Sequence, residues 1–153
     1  MIFRFNLEKM EKFAEQQLSE FINNHSSEVF YGFAIDDGLL CLNSLSEFEK
    51  TLKKYQENNE IYKNPDEIEE LKFNTGDWSY QGFANLNNSP GYNVRLYNKF
   101  YRHGFFGGTE QELKSTAYYK AMAKLMQSIE QTETFKRMPK TVDFKTFVVY
   151  GND

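Results

Sequence analysis

Few residues of this chain carry reactive side chains, and their spacing decides what chemistry they could support. The only imidazoles are His25 and His103. Nucleophilic catalysis needs a nucleophile beside a positioned base, and neither histidine has a partner identifiable from spacing. His25 reads as a solvated residue in the polar break NNHSS (23–27). Asp36 and Asp37 are adjacent acids, but Asp-Gly is what a tight turn demands sterically, and two neighbouring acids alone do not form a metal cage. The single cysteine, Cys41, lies in the apolar run LLCLN. It reads as a small buried hydrophobe, because a reactive thiol needs an electropositive and partly exposed setting. Metal-ligand spacings such as HExxH, HxH or CxxC do not occur, and the glycine pair before Thr109 matches neither GxxxxGK(S/T) nor GxGxxG. No catalytic residue, metal or cofactor is expected.

Two groups of residues are better placed to bind than to react. The stretch ENNEIYKNPDEIEEL (57–71) carries six acids against Lys63 alone. One reading is a solvated helix face. The other is a docking surface for a basic protein, with Glu57, Glu60, Tyr62, Asp66, Glu67, Glu69 and Glu70 as contacts; there charge would steer encounter. The second group is FNTGDWSYQGFA (73–84), which holds the only tryptophan, together with the triplet Tyr101, Arg102 and His103. It supports an alternative, a small enzyme or ligand-binding domain with a pocket near Trp78, Tyr80, Arg102 and His103. The rival reading makes Trp78 a plug that closes the core, pointing inward from within a helical turn capped by Thr75. A structural or regulatory homo-oligomer is the third possibility.

The bulk numbers narrow the class. A chain of 153 residues suits one domain. Aromatics make up 17% of it, with 15 Phe and 10 Tyr, so a well-filled core is expected rather than disorder. Residues 1–91 carry 16 acids against 8 bases, and residues 92–153 carry 10 bases against 6 acids; the molecule is polarised. The overall charge of −4 argues against nucleic acid, whose binding relies on a basic surface. With no apolar run long enough to span a bilayer and no secretory h-region, a cytoplasmic protein without membrane contact is expected.

These groups must be held by an α+β framework. Asn6 N-caps a helix over 7–23, where Leu7, Met10, Phe13, Ala14, Leu18, Phe21 and Ile22 recur at helical spacing. Runs at 29–35 and 39–43 flank Asp-Asp-Gly and read as a hairpin, apolar at consecutive positions and therefore central and covered on both faces. Further helices are expected at 45–58, 65–72, 92–103 and 110–130, the first started by Ser44 or Ser46, the second by Asn64-Pro65 and the last by Thr109, with a strand over 92–97 as the alternative to the third. The 110–130 helix should bury Leu113, Ala117, Met122 or Ala121, Leu125 and Ile129. A closing strand at 144–150 completes an antiparallel sheet with helices laid on one face.

Taken together, the first helix, FYGFAIDDGLLCLNSLSEFEKTL, the acidic stretch ending in GDWSYQGF, and the closing FKTFVVYGND resemble a large family of small bacterial cytoplasmic α+β domains with no assigned activity. Domains of this kind look like the immunity proteins of polymorphic toxin systems. The resemblance implies toxin neutralisation by tight binding to a protein, without chemistry.

Overall fold

The computed structural model describes residues 4–105 and 108–149, the side chains of residues 103 to 105 excepted. Helix α1 (Leu7–Asn24) starts where Asn6 Oδ1 accepts the Lys9 amide at 3.1 Å. Its Met10, Ala14, Leu18 and Ile22, four residues apart, form the buried stripe. Strands β1 (Phe30–Asp36) and β2 (Leu39–Ser44) make the expected hairpin. Asp37 and Gly38 both have positive φ, +52° and +80°, the geometry of the two-residue turn that matches strand twist. The φ of +80° and the Tyr92 hydroxyl, 2.9 Å from where a Cβ would stand, both favour glycine at position 38.

Helix α2 (Leu45–Asn58) follows directly, with Ser44 Oγ accepting the Glu47 amide. A short 3-10 turn (Glu60–Lys63) leads to α3 (Pro65–Lys72), N-capped by Asn64 with Pro65 in the first turn. A second 3-10 turn (Thr75–Asp77) leads into β3 (Tyr80–Asn85). Asn74, not Thr75, caps that turn; Thr75 is buried inside it. The remaining elements are α4 (Val94–Phe105), α5 (Glu110–Lys114), α6 (Ala117–Glu130), α7 (Glu133–Arg137) and β4 (Lys140–Val149).

The helix expected over 110–130 is thus two. Thr116 ends α5 by donating to the Leu113 carbonyl at 2.7 Å, and caps α6 by accepting the Tyr119 amide at 3.2 Å. The change of direction leaves Ala117 exposed, whereas Leu113, Leu125 and Ile129 are buried as expected. Residue 150 of the predicted closing strand and Gly107 of the glycine pair lie outside the described residues.

The four strands form one sheet in the order β3-β2-β1-β4. It is mixed rather than wholly antiparallel: β4 runs parallel to β1, the intervening helices supplying the long crossover that a parallel neighbour needs. Helices cover both faces, not one, which fits a β1 buried at every position. On the first face Phe30, Phe33, Ile35, Leu40 and Leu42 pack against α1, α4, α6 and α7. On the second, Tyr31, Ala34 and Cys41 pack against Phe48 of α2, Leu71 of α3 and Trp78.

Candidate functional site

The acidic stretch becomes a face built from the end of α2, the following 3-10 turn and α3. Two anchors fix α3: Lys72 Nζ donates to Asp143 Oδ2 on β4 at 2.7 Å, and the Lys72 carbonyl accepts from Trp78 Nε1 at 2.9 Å. The turn is tied to α2 by Gln56 Nε2, which donates to the Tyr62 carbonyl at 2.9 Å, and by Tyr55 and Tyr62, whose rings lie 5.1 Å apart. On this frame Glu57, Glu60, Asp66, Glu69 and Glu70 are exposed, while Tyr62 and Glu67 are half-buried. Glu60 pairs with Lys63 at 2.8 Å.

Between the turn and α3 lies a small cleft of about 100 Å³. Of the seven predicted contacts it gathers Tyr62, Glu67 and Glu70, and it adds Leu71, Asn74 and Asp77. Glu67, Glu70 and Leu71 share one face of α3 through their three- and four-residue spacing, and Asn74 follows just past the end of the helix as the cap of the next turn. Asp66 and Glu69 sit on the adjoining solvent face, and Glu57 and Glu60 flank it. Asp77 is held on both oxygens, accepting from the Tyr55 hydroxyl on one and from Asn74 Nδ2 at 2.8 Å on the other. The bond to Asp77, with some burial, holds the Tyr55 hydroxyl above its ordinary pKa. Three acidic residues, Glu67, Glu70 and Asp77, therefore line a hole of a size for one cationic side-chain head and far below the ~300–1,000 Å³ of small-molecule pockets. Sequence reasoning missed Asn74 and Asp77, because their Asx-turn spacing signals a turn whether or not it borders a cleft.

The residues of the alternative pocket do not converge. Trp78 is only 4% exposed, wedged edge-on between Tyr31 and Phe147 with ring centroids 6.0 and 6.2 Å away. Tyr80 packs on the opposite core, against Phe21 and His25. Arg102 is exposed on α4, and the His103 side chain lies outside the described residues. Among the described residues no group of three or more His, Cys, Asp or Glu could hold a metal ion.

A further polar cluster went unseen in the sequence. Glu28 receives His25 Nδ1–H at 2.6 Å, the Ser44 hydroxyl at 2.6 Å and the Tyr80 hydroxyl at 2.7 and 2.9 Å. Burial pushes its carboxyl up, but these hydrogen bonds outweigh it and the net shift is downward. His25 is thus no solvated loop residue: it stacks on Phe21 at 4.1 Å. The i,i+3 spacing of His25 and Glu28 was a visible signal; Ser44 and Tyr80 arrive only through the fold.

The fold and face define a small α+β domain with a sheet covered by helices on both sides and one acidic edge. The chain belongs to the family described as a domain of unknown function (DUF4303), whose profile matches residues 10–152. No curated protein and no solved structure matches it. Among the described residues no helix is long and apolar enough to cross a membrane.

Proposed function

We propose that this chain is a non-catalytic protein-binding domain that docks a basic protein on its acidic face, and that its role is the neutralisation of a bacterial toxin. The observation that carries the reading is the cleft between the 3-10 turn and α3. Its lining carboxylates, Glu67, Glu70 and Asp77, surround a space of about 100 Å³ that suits the head of one lysine or arginine and is too small for a metabolite. Tyr62 at its edge supplies an amphipathic anchor of the kind that dominates interface energetics. The exposed carboxylates around it would accelerate encounter with a cationic surface and lend that encounter its salt dependence.

The test is co-expression with the product of a neighbouring toxin-like gene, paired with affinity capture of that product. Protection and salt-sensitive capture by the wild type, both lost in the Glu67→Lys, Glu70→Lys variant, support the reading. Protection that survives both charge reversals, or a neighbourhood of purely metabolic genes, contradicts it.

A further inference from the structure

A second concavity lies on the other side of the sheet, where α6 meets the start of α1 and the middle of α4. Positions 117, 120, 121 and 124 of α6 share a helix face by their spacing. Ala117 and Ala121 are too small to fill the space beneath them, while Lys120 and Lys124 stand at its rim. Arg4 and Phe5 close it from the start of the described chain, and Leu96 from α4. The cleft measures about 610 Å³, and a second hollow of about 380 Å³ that shares Leu96 and Ala117 extends it past Lys99 and Phe100.

Its walls are of two kinds. Phe5 and Ala121 give an apolar floor, 7% and 8% exposed. Above it Arg4, Lys120 and Lys124 are exposed, and none is ion-paired among the described residues. Of the acids along the two hollows, Glu8 already faces Lys12 at 3.5 Å, and Glu112 lies at the far end. Positive charge over an apolar floor, in a volume within the range of small-molecule sites, selects an amphipathic anion. We propose that this groove binds a small organic anion with an apolar body, an acyl chain carrying a single carboxylate head. The chain would lie along Phe5, Leu96 and Ala121, and the head would meet Arg4, Lys120 and Lys124. This site is separate from the acidic face, and it stands or falls independently of the partner proposed there.

The probe is decanoate, used well below its micelle-forming concentration, with decanol as its neutral counterpart; the readout is a titration followed by amide chemical shifts. Decanoate should give saturable shifts at Arg4–Glu8, Leu96 and Ala117–Lys124, and decanol should bind at least about fivefold more weakly. The Lys120→Gln, Lys124→Gln variant changes two exposed residues and should keep its melting temperature. It should weaken decanoate about five- to thirtyfold, the loss of two charge contacts of up to ~1 kcal/mol each. Ala117→Phe, which fills the junction of the two hollows, should block binding outright. The proposal is overturned by an absence of saturable shifts, by shifts confined to other surfaces, by decanol binding as tightly as decanoate, or by unchanged affinity in the double-lysine variant.

Discussion

Trp78 and Gly32 form a matched pair whose fit can be measured directly. The Trp78 ring lies over β1 where Gly32 leaves space: a Cβ there would come within 2.7 Å of both Cζ2 and Cη2 of the indole. An approach that close forces a shift of the indole, which Tyr31, Phe147 and the bond to the Lys72 carbonyl hold in place, so Gly32→Ala should cost about 1–3 kcal/mol by overpacking. Trp78→Ala removes a side chain that buries ~150–250 Å², about 4–6 kcal/mol at 25 cal/mol per Å². Measured core tryptophan truncations point to ~3–5 kcal/mol, so 4 kcal/mol is the working figure. The double variant then discriminates. With the indole gone, the added methyl at position 32 enters the vacated space, and its cost should vanish. The cycle should return a coupling of about 1–3 kcal/mol. The assay is urea unfolding followed by far-ultraviolet circular dichroism, since two of the three variants lack the only tryptophan. Strict additivity, or a Trp78→Ala variant as stable as the wild type, would refute the account of Trp78 as the plug of the second core.

Other expectations follow from the buried polar groups. Glu28 has a folded pKa below its unfolded value near 4.3, so its contribution is present above that value and fades as pH falls through the lower folded one. Glu28→Gln should therefore cost about 1–3 kcal/mol at neutral pH. Denaturation of the two proteins across pH 3–7 should show the gap closing toward the acid end; a gap independent of pH would contradict the hydrogen-bonded carboxylate. Cys41 is buried, and burial pushes its thiol up to about 11. It should resist alkylation by iodoacetamide at pH 8 in the native protein and react once denatured; rapid native labelling would show that the second core opens.

What could be read from the sequence was local. Asn6, Ser44, Asn64 and Thr109 each announced a helix start, because a cap bonds an amide only two or three residues away. Asp37-Gly38 announced the hairpin for the same reason. The parallel pairing of β4 was hidden, since nothing in its own residues states which neighbour it takes. Strand β3 was hidden because Gly82, at φ +65°, and the uneven spacing of Tyr80 and Phe83 break its alternation. The acidic face was visible as composition. Its cleft was not, because Tyr62, Glu67 and Asp77 meet only when α3 is pinned by Lys72 to Asp143 and by Trp78 to the Lys72 carbonyl. The groove beneath Lys120 and Lys124 was hidden for the same reason: its floor comes from Phe5 and Leu96, far away in the chain.

The most direct test of the acidic face is the association rate between this domain and its captured basic partner, measured at low and high ionic strength. The comparison is between the wild type and the variant carrying Glu67→Lys, Glu69→Lys and Glu70→Lys. Glu69 and Glu70 are exposed and Glu67 is half-buried at the edge of the cleft, so the variant's melting temperature is checked first; steering by such charges accelerates encounter by about 10- to 1,000-fold. The account predicts association at least about tenfold slower at low salt, with the two proteins converging as salt screens the field. Equal association rates at every ionic strength would contradict it.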